Sequence, residues 1–94
     1  MATERIFLKH FFFDNIVTRK AMSEFFDFVN RSSEKNIILD FKDIYFISRS
    51  CADEYIKLKL NSKKELFEEN LSEEVKQMFN IAKLQFKHNL GIAA

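Results

Sequence analysis

The repeat of the hydrophobic positions changes several times along the chain, between the two-residue period of strands and the 3.6-residue period of helices. Arg5–Phe13 is rich in Phe, Ile and Leu and predicts a first strand with aromatic side chains on both faces. Over positions 16–32 the apolar residues recur every three or four positions and predict a helix, for which Asp14, Asn15 and Thr18 offer caps. The chain is therefore expected to begin with a strand followed by a helix.

Two further strands and a final helix are predicted downstream. Asn36–Phe41 is a short apolar run, which favours a central strand buried on both faces. Asp40 ends this run, and we expect its carboxylate to hydrogen-bond nearby loop amides. Glu65–Glu69 predicts an edge strand, and Ser72 is the expected cap of the last helix. The end of the chain, residues 87–94, is expected to fray.

The segment between these two strands predicts a turn that opens a helix. A second apolar run, Ile44–Ile47, is followed by polar residues and then by helical spacing over Cys51–Leu60. The helix should start near Ser50, whose side-chain oxygen can cap it. The side chain of Asp53 can in turn accept a hydrogen bond from the backbone N–H of Ser50, and its negative charge complements the helix dipole.

These elements alternate in the order β-α-β-α-β-α, which favours the α/β class. We expect a single small domain over residues 1–94, with a mixed sheet of about four strands and helices mainly on one face. The 94 residues include one Gly and no Pro. Glycine-rich phosphate loops, dinucleotide fingerprints and nucleophile elbows need glycine where the backbone turns tightly, so these enzyme classes are disfavoured.

Charge and cysteine content narrow the function further. Lys and Arg number 15 and Asp and Glu number 14, and both signs are spread evenly along the chain. This balance predicts neither a nucleic-acid partner nor a membrane-surface arm. The single Cys51 cannot form an intrachain disulfide, which favours a reducing cytoplasm. No signal peptide, membrane span, metal site or cofactor is predicted.

The segment 36–55, NIILDFKDIYFISRSCADEY, resembles a STAS domain, the family of sulfate transporters and anti-sigma factor antagonists. Asp40 matches the family's strand-end acid, and Ile47 matches the apolar position before the turn. Ser50 falls where the antagonists carry their phosphorylatable serine. The residues after Ile47, together with Arg19 and Ala21, are more similar to a small STAS-like branch of this family.

The resemblance implies a non-enzymatic regulatory module that docks a protein partner through the turn and the helix after it. The implied partner is an ATP-binding kinase of the GHKL type, and phosphorylation of Ser50 is the implied switch. Helical spacing can place part of the following helix on the same docking face, although such spacing is also typical of a core stripe. The expected docking residues are Ser48, Arg49, Ser50, Asp53, Tyr55, Ile56 and Lys59.

Three alternatives remain open at this stage. Cys51 lies near a predicted helix N-terminus, where the pKa of a thiol can fall, so the chain could be a cysteine-dependent enzyme. It could also be a structural subunit of a larger complex. In addition, Phe7, Phe11 and Phe13 alternate along the first predicted strand and indicate a homodimer or partner contact on its uncovered face.

Overall fold

The secondary structure consists of three long strands and three long helices, with shorter elements between them. A computed structural model describes residues 2–12, 15–16 and 18–89 of the chain. The strands within these residues are β1 (Thr3–Phe7), β2 (Asn15–Ile16), β3 (Asn36–Asp40), β4 (Phe46–Ile47) and β5 (Glu65–Glu69). The helices are α1 (Lys9–Phe12), α2 (Arg19–Asn30), α3 (Arg49–Asn61) and α4 (Glu73–Asn89). The predicted α/β class is therefore confirmed.

The main sheet has three parallel strands in the order β1-β3-β5. A separate parallel pair joins β2 to β4. The predicted mixed sheet of about four strands is therefore wrong for the described residues, in which every strand pair is parallel. The reason is that α2 and α3 each return the chain to the end of the sheet at which the strands begin. The next long strand therefore runs in the same direction. The central position of β3 and the β5 edge strand are confirmed. The predicted burial of the central strand on both faces is wrong, because Asn36 and Ile38 on the second face are only half-buried.

The hydrophobic core lies between one face of the main sheet and the helices. In β3, Ile37 and Leu39 point towards the helices and are buried, and Ile6 of β1, which pairs with Leu39, is buried on the same face. Helix α2 buries one face of its amphipathic surface, and α3 packs against both α2 and α4. The buried residues of α2 are Met22, Phe25, Phe26 and Val29.

The first strand is shorter than its composition predicts. β1 ends at Phe7, and a helical turn follows because the backbone N–H groups of Phe11 and Phe12 both donate to the carbonyl of Leu8, at 2.9 and 3.0 Å. Leu8 and Phe12 are nevertheless buried. The apolar pattern of the sequence is therefore the same for one long strand and for a short strand followed by a helical turn. Phe13 lies outside the described residues.

Two of the predicted helix caps are confirmed. The side-chain oxygen of Thr18 accepts from the N–H of Ala21 at 3.1 Å, and α2 begins at the next residue. Asp14 lies outside the described residues. The side-chain oxygen of Ser72 accepts from the N–H of Val75 at 3.2 Å and opens α4. This last helix continues to Asn89, three residues into the segment that was expected to fray.

Candidate functional site

The turn between β4 and α3 has the predicted strand-turn-helix geometry, but a different serine caps the helix. Ser48 has an extended backbone (φ −71°, ψ 158°), and its Oγ accepts from the N–H of Cys51 at 3.3 Å. The helix starts at Arg49, so Ser50 already has helical geometry and cannot occupy the cap. The prediction that Ser50 caps α3 is therefore wrong, and the cap is two residues earlier.

Three other predicted residues lie together at the start of α3. Ser50 is half-buried, and its Oγ lies 3.3 Å from the Oγ of Ser48. The exposed guanidinium of Arg49 lies 3.5 Å from the carboxylate of Asp53 and donates to the side-chain oxygen of Gln85 on α4 at 3.2 Å. Asp53 therefore pairs with Arg49 within the helix and does not form the predicted reciprocal cap.

Tyr55 and Ile56 do not form a docking surface, because both side chains are buried in the core. The Tyr55 ring stacks on Phe79 of α4 with 4.6 Å between ring centroids, and α3 packs against both α2 and α4. The helical spacing of these residues therefore reflects their burial in the core. The prediction that these two residues contact a partner is wrong, and a Tyr55→Ala variant would damage the fold.

Lys59 belongs to a polar contact inside the fold. Its ammonium donates to the carboxylate of Glu68 on β5 at 2.7 Å, and the Tyr55 hydroxyl donates to the same oxygen. Burial, followed by the charge of Glu68, raises the pKa of Tyr55 well above its ordinary value. Glu68 was missed from the sequence, although strand alternation with Leu66 could have placed it on the inward face of β5.

Asp40 ends β3 as a buried carboxylate with three hydrogen-bond donors. It accepts from the Arg5 guanidinium at 2.6 Å, from the backbone N–H of Lys42 at 2.9 Å and from the side-chain amide of Asn70 at 2.9 Å. Burial by itself raises the pKa of Asp40, but the hydrogen bonds from Asn70, Lys42 and Arg5 outweigh it and lower the pKa overall. The predicted contact with a loop amide is confirmed.

The partners of Asp40 connect all three long strands. Arg5 lies in β1 and also contacts Glu69 of β5 at 2.9 Å. Asn70 follows β5 and has a left-handed backbone (φ 59°), which asparagine tolerates better than most residues. Neither partner was predicted, because their pairing with Asp40 depends on the order of strands in the sheet. This cluster is structural, and it joins the three strands of the main sheet near the end of β3.

Cys51 has the opposite of the environment that a nucleophilic thiol needs. The side chain is buried, and burial raises the pKa of the thiol despite a hydrogen bond from Ser48 and the positive charge of Arg19. A reactive cysteine needs a lowered pKa and access to its substrate. The geometry therefore gives no support to the cysteine-enzyme alternative.

The predicted aromatic patch on the first strand is divided between two locations. Phe7 is half-buried on the sheet face opposite the helices, whereas Phe11 lies against Phe25 and Phe28 of α2, with ring centroids 5.1 and 4.8 Å away. Phe13 lies outside the described residues. A homodimer through this strand stays a prediction.

Comparisons with known proteins do not identify the chain. No family model, curated protein or solved structure matches it. The resemblance of segment 36–55 to the STAS family therefore stays a prediction.

Over residues 2–12, 15–16 and 18–89, no three His, Cys, Asp or Glu side chains form a group that could hold a metal ion. Within the same residues, no helix has the length and apolar character to cross a membrane.

Proposed function

We propose that this protein is a non-enzymatic regulatory module that binds another protein through Ser48–Ser50 and the first turn of α3, and that phosphorylation of Ser50 controls binding. The observation that carries the proposal is the separation of roles between the two serines. Ser48 holds the start of the helix, so a modified Ser50 would leave the cap intact. A phosphate could then alter the surface without removing the contact that orders it.

The charges around the turn favour such a modification in the folded state. Phosphate adds about −1.5 to −2 charges, which the free N–H groups and dipole of a helix N-terminus stabilise. Arg49 is exposed beside Ser50. The positive charge of Arg19 reaches the neighbouring Cys51, where the negative charge of Glu54 opposes it. Arg49 contacts Asp53 when Ser50 is unmodified, and a phosphate would compete with Asp53 for that guanidinium.

The same surface offers features that protein partners use. Phe46 lies two residues before Ser48 and is 46% exposed. Aromatic and arginine side chains are enriched at protein interfaces, so Phe46 and Arg49 form a reasonable contact pair. A partner packed on them would have to desolvate a phosphate at Ser50, a cost of several kcal/mol that favours release. From the STAS resemblance, the proposed partner is an ATP-binding kinase of the GHKL type.

Quantitative affinity capture from extract of the source cells tests this proposal. The baits are the unaltered protein, Ser50→Asp, Phe46→Ser and a matched control, Ser33→Asp, which adds the same charge at an exposed serine between α2 and β3. We expect one protein to be retained by the unaltered and control baits and lost from the other two. Mass spectrometry of the recovered chain should detect phosphate on Ser50. Equal retention by all four baits would overturn the proposal.

A further inference from the structure

Within the described part of the chain, one face of the main sheet is not covered by any of the three long helices. The strand register places Arg5, Ile38 and Phe67 in one row across the three strands, on the side opposite Ile37 and Leu39. Phe67 is 52% exposed and Ile38 is half-buried. All-parallel sheets occur almost only with both faces covered, so an uncovered face with apolar side chains indicates a contact surface.

This open face, defined by Phe7, Ile38, Phe67, Arg5, Glu65 and Glu69, combines apolar side chains with an excess of negative charge. The carboxylates of Glu65 and Glu69 lie on the β5 side, and Asp40 lies in the same row as Glu69. The basic residues at this face are Arg5, which already pairs with Asp40 and Glu69, and Lys9, which lies 5.9 Å from the centroid of the Phe7 ring and pairs with Asp43. A complementary surface should therefore be apolar and basic.

The outward surface of α4 has this complementary character. Ile81 is 47% exposed and Leu84 is 59% exposed, and their spacing of three residues places them on one side of the helix. Lys87 is exposed three residues after Leu84 on the same side of the helix, Lys83 is also exposed, and no acidic residue occurs from Gln77 to His88.

From this match we infer that a second copy of the chain covers the open face. Ile81 and Leu84 of one copy lie on Ile38 and Phe67 of the other, and the lysines of α4 approach the carboxylates of β5. The contact joins two different surfaces, so each copy offers one surface of each kind. This association is separate from the Ser48–Ser50 turn and does not depend on the proposed partner.

Sedimentation velocity from micromolar to millimolar concentration tests the association. We expect the average mass of the unaltered protein to rise with concentration and to fall back towards the monomer in high salt, because salt screens the lysine–carboxylate attraction. Leu84→Ser and Phe67→Thr should each abolish the rise. Leu60→Ser is the matched control, since Leu60 is 64% exposed on α3 and belongs to neither surface, and it should associate as the unaltered protein does.

Mixing the two defective variants separates this arrangement from symmetric ones. Leu84→Ser keeps an intact open face, and Phe67→Thr keeps an intact α4 surface, so their equimolar mixture should form a complex of two chains. A symmetric contact of open face with open face predicts instead that Leu84→Ser alone still associates, and a contact of α4 with α4 predicts that Phe67→Thr alone still associates. A monomeric unaltered protein at all concentrations, or a mixture that stays monomeric while both variants keep native circular dichroism, would overturn the inference.

Discussion

The hydroxyl group of Tyr55 donates a hydrogen bond to Glu68 and so connects the middle of α3 to the outer strand β5. The ring of the same residue stacks on Phe79, and Lys59 contributes a second contact to the carboxylate. One side chain therefore joins an aromatic cluster to a polar one. Because Tyr55 and Lys59 belong to α3, these contacts fix the position of the helix that carries Ser50.

Replacing Tyr55 by Phe should destabilise the protein by about 1–2 kcal/mol, since it removes one donor from a half-buried carboxylate and keeps the ring. Tyr55→Ala should cost about 3–5 kcal/mol through the cavity that it leaves. Urea unfolding measures both values. Tyr45→Phe is the matched control, because that tyrosine is exposed, and its effect should stay within about 0.5 kcal/mol. Equal losses from the two Tyr→Phe variants would contradict the role of the Glu68 contact.

The two serines of the turn should differ in their contribution to stability. Ser48→Ala removes the cap of α3 and should lower the free energy of unfolding by about 1 kcal/mol. Ser50→Ala should change it by less than about 0.5 kcal/mol, and Ser48→Asp should restore the cap. Thermal and urea unfolding of the three variants provide the test. A larger loss from Ser50→Ala than from Ser48→Ala would reassign the cap.

Asp40 should make stability depend on pH in the acid range. Its folded pKa lies below the unfolded value of 3.8, so its contribution is complete above that pH and is lost as pH falls through the folded pKa. Asp40→Asn should therefore lower stability at neutral pH, by about 2–3 kcal/mol, and flatten the decline in acid.

A second variant checks that the hydrogen bonds lower this pKa. Asn70→Gly keeps the left-handed backbone of that position and removes one donor, so it should raise the pKa of Asp40 and move the decline to higher pH. Unfolding free energies measured across the acid range give both curves. Identical curves for the unaltered and Asn70→Gly proteins would rule out the proposed cause.

Cys51 should react slowly with iodoacetamide in the native protein. Burial hinders access and raises the pKa of its thiol, so the rate should be well below that of free cysteine at neutral pH. In denaturant, the rate should rise to the value of an ordinary thiol. Mass spectrometry of timed samples measures both rates. A native rate above that of free cysteine would instead support the cysteine-dependent enzyme.

Local signals in the sequence predicted the local parts of the fold. The caps at Thr18 and Ser72, the central strand and the α/β class follow from short-range hydrogen bonding and from periodicity. The start of α3 was misplaced by two residues, because Ser48 and Ser50 are both good caps and the sequence does not determine where helical backbone geometry begins.

The parts that were missed depend on tertiary contacts. Tyr55 and Ile56 have the same spacing whether α3 is exposed on that side or covered by α4. Two of the donors to Asp40 come from Arg5 and Asn70, which only the strand order β1-β3-β5 brings together. Of the predicted docking residues, Ser48, Arg49, Ser50 and Asp53 lie at the turn, and Lys59 is committed to Glu68.

The carboxylate of Asp40, at the end of β3, also affects how the protein partially unfolds. Detaching β1 or β5 would take a donor away from Asp40, so partial detachment of an outer strand leaves an interior anion poorly solvated. Both outer strands should consequently behave as one cooperative unit with the centre. If so, amide hydrogen exchange should find similar protection in β1 and β5. If the two outer strands frayed independently, each would have its own protection factor, lower than that of β3.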